Sequence, residues 1–277
     1  MNTRNKNSII IPYFNTPEYI ERCLISAKQQ FGGVNEIIVI DDGSNALAKK
    51  RIQDLSALYD TIIYQENSGQ AKARNVGISK ASGRYILVLD SDDYFTGDFG
   101  SSAIKFIEEQ DCKLVCCNAN RIVRGKIVDQ YSPRGGSLKD FLFYNSAMGT
   151  AIFKKEDWSI IGGYDEQMRQ GWEDWEFYIR LLKSGGKCKV VKDVYFNYTL
   201  RGNSTTSIAN SCRPTLLNYI FKKHKDCYIQ NFENFVDFIA ELYEQENNKY
   251  LKSIKSKEFL LGNALLKIPR LIKQGLK

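Results

Sequence analysis

The sequence predicts an α/β protein: a mostly parallel, doubly wound sheet with helices on both faces, followed by a helical C-terminal extension. Three observations carry that expectation. Short apolar runs alternate with amphipathic stretches in the order β-α-β-α-β-α-β, the pattern of parallel strands joined by right-handed crossovers. The runs are unbroken rather than alternating, as in strands covered on both faces. Two of them run straight into acids, Asp41-Asp42-Gly43-Ser44 and Asp90-Ser91-Asp92-Asp93, so both clusters should emerge at the carboxyl edge of the sheet, where open α/β sheets hold ligands.

Residues 8–14 read as the first strand, ending at Pro12. Thr16-Pro17 reads as a helix cap and first helical position, with Ile20, Cys23, Leu24 and Ala27 at the i, i+3, i+4, i+7 spacing of a buried face. Residues 36–40 form the second strand, followed by a helix with Ile52, Leu55 and Leu58 on one side, and residues 61–65 form the third. Asn67-Ser68-Gly69 then leads into a helix over 70–82 with Lys72 and Arg74 near its amino-terminal end, where the dipole favours anions. The fourth strand is 84–89. Beyond Asp93 the spacing predicts a helix over 99–110, a strand over 112–117 and a hairpin over 121–130 turning at Arg124-Gly125. A helix over 137–146 and a short strand over 150–154 follow. Gly162-Gly163-Tyr164-Asp165-Glu166 breaks the chain, and Gly171-Trp172-Glu173-Asp174-Trp175-Glu176 opens a helix with Trp175, Tyr178, Ile179 and Leu182 on one face. Strands over 187–192 and 195–200 precede a polar loop, Arg201 to Thr206, and the chain is helical from Pro214.

At 277 residues the chain is long enough to bury a sizeable core. No apolar run approaches 18 residues, and the first seven lack the apolar segment of a secretory signal, so the protein reads as cytoplasmic. Its seven cysteines, an odd number in no metal-ligand spacing, read as small buried hydrophobes in a reducing compartment. A single histidine, His224, disfavours multi-imidazole zinc sites and histidine-driven triads, leaving acid and base work to carboxylates. The net charge of +7 is local: residues 249–277 hold seven lysines and one arginine against Glu258, and the rest of the chain balances. Such a tail points to an anionic surface.

Crowded carboxylates at Asp90, Asp92 and Asp93 repel one another, a repulsion that a hard cation such as Mg²⁺ or Mn²⁺ relieves, commonly through one or two carboxylates plus substrate phosphates. An acidic surface turn is the plain alternative. A nucleotide lying along the edge would use Asp41 and Asp42 for base or ribose and the second cluster for a diphosphate-bound metal. No Gly-x-Gly-x-x-Gly follows the first strand and no Walker sequence occurs, which argues against dinucleotide and P-loop folds. Glu173 and Asp174 stand between Trp172 and Trp175. Flat aromatic faces suit a sugar, and apolar walls raise a carboxylate toward the range of a useful base; a well-started helix is the alternative. Arg201 with the hydroxyls after it suits a diphosphate, or is simply a loop.

These pieces, in this order, resemble the inverting family 2 glycosyltransferases with the nucleotide-diphospho-sugar (GT-A) fold. The resemblance rests on Ser8 to Tyr13 with Pro12, on Asp41-Asp42-Gly43-Ser44, on Asn67 to Gly77 with Gly69 and Ala73-Arg74-Asn75, and on Leu89 to Asp93. Gly163-Tyr164-Asp165-Glu166, Trp172-Glu173-Asp174 and Arg201 to Thr205 extend it, so that it covers about residues 7–207. It implies a domain over 1–210, with a nucleotide-binding half over about 1–95 and an acceptor half over 96–210, and a helical extension over 211–277.

The resemblance also implies roles. Asp41 resembles the residue that hydrogen-bonds uracil, with Pro12, Tyr13 and Phe14 lining the base pocket and Asp42, Asn67, Gly69 and Arg74 near the nucleotide. Asp90-Ser91-Asp92 resembles the family's Asp-x-Asp, Asp92 as the direct ligand of Mn²⁺ or Mg²⁺ and Asp90 nearer the ribose or a metal-bound water. Asp174 matches the catalytic base, Glu173 its partner, and Trp172 and Trp175 the acceptor's neighbours. Arg201 and Ser204 match a loop over the donor phosphates, and where a common variant has a histidine near that loop this chain has none. The expected reaction is inverting, metal-dependent transfer of a hexose or N-acetylhexosamine from a UDP-sugar to a surface glycan, free or lipid-linked. A sugar nucleotidyltransferase would carry a Gly-rich basic loop where this chain has Asn15-Thr16-Pro17, and a non-catalytic binding protein has little use for acids at three separate element ends. In the tail, Leu260, Leu261, Ala264, Leu265, Ile268, Leu271 and Ile272 form an apolar stripe among basic residues, interrupted by Pro269. Contact with the inner face of a membrane, packing on the domain and pairing with a twin subunit all fit that stripe. Nucleic acid is not expected, for want of interleaved aromatics.

Overall fold

The computed structural model describes residues 7–109, 111–202 and 205–275. Four strands, β1 (Asn7–Tyr13), β2 (Glu36–Asp42), β3 (Thr61–Gln65) and β4 (Tyr85–Val88), lie parallel in the order β3-β2-β1-β4. β1 is fully buried and β2 nearly so, as their unbroken apolar runs require. The register sets Tyr13 beside Asp41 and Asp41 beside Tyr64, so the chain leaves the sheet at one edge near both acidic clusters.

The sheet continues past β4 through β8 (Ile152–Lys154), antiparallel to both β4 and β6 (Cys112–Val123). Beyond β6 come β9 (Lys187–Thr199), parallel to it, and the two-residue β5 (Tyr94–Phe95). β7 (Lys126–Tyr131) folds back on β6 at Arg124-Gly125, both at positive φ, as a tight hairpin turn demands. The two strands expected over 187–192 and 195–200 are one. Pairing with β6 jumps from Cys117↔Val191 to Asn118↔Val194, so Lys192 and Asp193 bulge out, and Asn118 Nδ2 donates to the Lys192 carbonyl at 2.6 Å to hold the bulge.

Helices cover both faces. On one, α1 (Ile20–Lys28), α2 (Ala46–Asp54) and α4 (Phe99–Ile107) pack on Ile9, Ile11, Ile37, Val39, Leu87 and Leu89. The first helix starts three residues after Pro17: the Thr16 carbonyl accepts from the Tyr19 and Ile20 amides, while the Thr16 hydroxyl is engaged elsewhere by Ser91. On the other face α3 (Gln70–Lys80) lies so close that a Cβ on Gly77 would stand 2.5 Å from Ile40 Cδ1 and 2.7 Å from Ile10 Cγ2. α5 (Leu138–Leu142) is shorter than the 137–146 expected, held at its start by a reciprocal Ser137–Asp140 cap. α6 (Lys155–Ile160) follows β8, and α7 (Glu173–Lys183) buries Trp175, Tyr178, Ile179 and Leu182 as its spacing requires.

Contacts divide the chain into two units, Met1–His224 and Lys225–Lys277. α8 (Thr205–Ser211), which starts within the expected polar loop, and α9 (Arg213–Lys223) belong to the first. Glu176, wholly buried on α7, explains why: it pairs with Arg180 at 2.7 Å, Lys223 at 2.9 Å and His224 Nε2 at 3.0 Å. Three cationic or hydrogen-bonding partners hold its carboxyl down, to about 2, against the upward push of burial. The second unit is α10 (Lys225–Gln230), α11 (Phe232–Ile254) and α12 (Lys257–Gly275). Six of the seven cysteines are buried, and none is joined in a disulfide. No helix among the described residues is long and apolar enough to cross a membrane.

Gly77 gives a direct check on the close approach of α3. Gly77→Ala should destabilise the protein by about 1–3 kcal/mol through overpacking, read as a lower denaturation midpoint. An unchanged midpoint would mean that α3 stands off the sheet.

Candidate active site

The acidic turn after β4 assigns a different task to each carboxylate. The Asp93 amide closes the turn on the Asp90 carbonyl at 3.0 Å. Asp93 itself is buried and accepts from the Thr199 amide at 2.7 Å, tying the turn to the end of β9; burial and the charges of Asp92 and Asp90 push its carboxyl up. The Asp92 carbonyl accepts from Arg22 and from the Thr199 hydroxyl, while its Oδ2 pairs with Arg201 Nη2 at 2.6 Å. Asp90 Oδ1 accepts from Gln70 Nε2 at 2.6 Å and Arg74 Nη2 at 2.9 Å. Ser91 is buried, its hydroxyl 2.8 Å from that of Thr16.

Arg74 makes the site one cluster. Only 2% exposed, it spans from Asp90 to Glu173, with Nη1 2.6 Å from Glu173 Oε1. Its partners come from different elements, the β4 turn and the start of α7, so the acidic turn and the Glu173-Asp174 pair line a common region. Burial raises the Glu173 carboxyl against the pull of Arg74. Asp174 is next in line. Its Oδ1 accepts from the Trp175 amide at 2.7 Å and its Oδ2 from Asn145 Nδ2 at 3.0 Å. Burial raises its carboxyl too, opposed by Arg74 and by those two donors. Gly149 leaves the space beside it open, since a Cβ there would lie 3.3 Å from Asp174 Oδ2 and 3.9 Å from Arg74 Nη2. The backbone delivers the pair through a left-handed Trp172, φ 61°, just after Gly171 at φ 112°.

Asp41 and Asp42 differ sharply. Asp42 is saturated: Oδ1 accepts from Gln65 Nε2 and the Ser68 amide, Oδ2 from the Gly69 amide, and its carbonyl from Asn67 Nδ2, all within 2.7–3.0 Å. It shapes the Asn67–Gly69 loop. Asp41 Oδ1 accepts from the Ser44 amide at 2.8 Å, whereas its Oδ2 is buried without a partner.

The remaining expected residues are placed as follows. Pro12 is buried in β1, and Tyr13 is a fully buried core residue whose hydroxyl donates to the Ala48 carbonyl, so Tyr13 backs the edge from within; Phe14 is 46% exposed. Trp175 is buried, with its indole N–H on the Phe141 carbonyl, and only the half-buried Trp172, 5.2 Å from it ring to ring, presents surface. Ser204 lies outside the described residues. Sequence reasoning missed Gln70, Asn145, Gly149 and Arg22, whose partners are distant along the chain. It also missed what Asn75 does: both ends of its amide clamp Tyr164, at 2.8 and 2.9 Å, so that part of the Gly163-Tyr164-Asp165-Glu166 motif is a structural tie.

The donor set fits a divalent ion of limited protein ligation. Burial and the neighbouring Asp90 charge push the Asp92 carboxyl up, the signature of acids that a cation would relieve. Among the described residues no group of three or more His, Cys, Asp or Glu is arranged to hold a metal unaided. A divalent ion here would need one or two carboxylates completed by phosphate oxygens, an ordinary arrangement for Mg²⁺.

The fold and sequence are similar to those of known glycosyltransferases. The structure is similar to that of S. aureus TarS 1–349 solved with UDP-GlcNAc, with a TM-score of 0.61 at 23% identity over 73% of this chain and 60% of that one. That likeness bears out the GT-A fold. The putative teichuronic acid biosynthesis glycosyltransferase TuaG of Bacillus subtilis is 28% identical over 243 residues, 83% of this chain and 95% of its own length. The teichoic acid poly(glycerol phosphate) polymerase of Staphylococcus epidermidis is 38% identical over 215 residues, 72% of this chain, but this chain spans only 28% of that protein. A sequence model described as the N-terminal domain of galactosyltransferase matches residues 141–201, and the model of Glycosyl transferase family 2 matches residues 8–166, more than half of the chain. The chain is a glycosyltransferase and belongs to glycosyl transferase family 2.

Proposed function

We propose that the protein transfers a hexose or N-acetylhexosamine from a UDP-sugar to a hydroxyl of a surface glycan, free or lipid-linked, with inversion at the anomeric carbon. The observation that carries this reading is the Arg74 bridge, which joins Asp90 of the acidic turn to Glu173 beside Asp174. A donor site and a base separated along the chain thereby share one region. The names of relatives in teichuronic and teichoic acid synthesis, and of a fold neighbour holding UDP-GlcNAc, support the substrate class.

In this reading residues 1–95 bind the nucleotide and 96–210 the acceptor. The unpartnered Asp41 Oδ2 accepts from the uracil ring, and Asp42 acts on the nucleotide through the Asn67–Gly69 loop that it holds. Asp174 takes the proton of the acceptor hydroxyl while that oxygen bonds to the anomeric carbon from the face opposite the phosphate. The bond from that carbon to the diphosphate oxygen breaks in the same step, so no covalent sugar intermediate forms. Arg201 stabilises the charge that develops on the departing UDP. A divalent ion held by Asp92 with Asp90 would supply further positive charge at the diphosphate when bound. Glu173 and Asn145 position their neighbours, the first by fixing Arg74 and the second by orienting the Asp174 carboxylate.

Asp174→Asn should reduce sugar transfer by about 10²–10⁴-fold, the usual contribution of a general base, while UDP binding by calorimetry stays unchanged. Asp92→Ala should instead weaken UDP binding in Mn²⁺ more than in chelator. Near wild-type turnover in Asp174→Asn would refute the base assignment.

A base works deprotonated, and the Asp174 carboxyl lies above its ordinary value through burial. Activity should therefore fall on the acid side at a higher pH than a solvent-exposed aspartate would give. Asn145→Ala removes a donor that favours the carboxylate, and should move that acid limb to still higher pH and lower turnover about tenfold. A limb that stays in place would exclude the positioning role of Asn145.

A further inference from the structure

We propose that the apolar face of α12 is the docking surface for an anionic lipid bilayer, on which the helix lies flat. Leu260, Leu261 and Leu265, 57–64% exposed, share one side of the helix, while Phe259 and Leu266, 45% and 52% exposed, fall on the other. Isolated exposed leucines need no explanation; three on one side of a helix, within six residues, do. The sequence continues the apolar spacing at Ile268, Leu271 and Ile272, with Lys267, Arg270 and Lys273 beside them. That is the composition of a basic amphipathic helix, whose apolar side enters the boundary of headgroups and acyl chains while its cations meet anionic headgroups.

Charge selects this occupant over the others. The whole excess of +7 sits in residues 249–277, where Glu258 is the lone acid. A two-fold pairing of this face with a second copy would set two such tails against each other, because an isologous interface repeats the same patch on both sides. Like charges would then oppose association. Phe259 is the one aromatic of α12, so a nucleic acid finds cations without the stacking faces that bases use. The described part of α12 is too short of continuous apolar residues to span a bilayer, so the helix lies on the surface. The proposal stands apart from the reaction proposed above, since it needs neither donor nor acceptor.

The test is flotation of the full chain with vesicles of phosphatidylcholine alone or with about 30% phosphatidylglycerol. The chain should float with the anionic vesicles, remain below with the neutral ones, and be released at about 0.5 M NaCl. Leu261→Glu/Leu265→Glu and, separately, Lys267→Gln/Arg270→Gln/Lys273→Gln should each cut binding at least about tenfold. Circular dichroism and thermal unfolding of both variants guard against a loss of fold, and the charge variant carries the test if the leucine variant is unstable. Absence of flotation, equal flotation with neutral vesicles, or undiminished binding by the two variants would overturn the proposal. So would a dimer in sedimentation equilibrium that Leu261→Glu/Leu265→Glu dissociates, which would assign the face to a second copy.

Discussion

A guanidinium almost wholly shut away from water holds the candidate site of this molecule together. Arg74 projects from α3, and its two terminal nitrogens are divided between carboxylates that the chain supplies 16 residues after it and 99 residues after it. Glu173 could not sit in this setting alone, because a buried carboxylate without a partner carries a desolvation penalty of several kcal/mol, whereas Asp90 is partly exposed and also held by Gln70. The converse also holds: removing either acid strands part of a buried cation. Such an arrangement adds little net stability but imposes strong geometry, since the α3 start, the β4 turn and the α7 start must meet at hydrogen-bonding distance or leave charge uncompensated.

Around that centre, smaller polar ties do the same locally. Asp42 gathers the loop after β3 with two backbone amides and two side-chain amides. Asn75, one residue after Arg74, clamps the turn that carries Tyr164, whose ring lies 5.4 Å from the Arg74 guanidinium. Glu176 fastens α9 to α7 two residues beyond Asp174. Each tie links segments distant in the chain, and together they frame the region where a donor and an acceptor would meet.

What could be read from the sequence was whatever is local. Period and composition identified the parallel strands, the hairpin at Arg124-Gly125 and the inner face of α7, because neighbours a few residues apart decide them. The clustering of Asp41 and Asp90 at one edge followed from parallel topology alone. What escaped were facts set by partners far away. Tyr13 and Trp175 carry the chemistry of a ligand platform in the sequence, yet both are core residues in the fold, their polar atoms satisfied by the Ala48 and Phe141 carbonyls. Thr16 reads as a helix cap, but its hydroxyl is drawn to Ser91, so the helix begins later. The apparent gap between two strands at Lys192 is a bulge, visible only once β6 supplies the register.

Thr199 fastens the last residue of β9 to the acidic turn twice, its amide on Asp93 and its hydroxyl on the Asp92 carbonyl, and the next amide, of Leu200, is held by Ile122. Arg201 therefore begins directly beyond a riveted segment. Its guanidinium can sweep only the short radius of its own side chain, over a patch centred on Asp92. Under the proposed reaction, the pyrophosphate end of a donor would have to come to this fixed cation rather than be fetched by it.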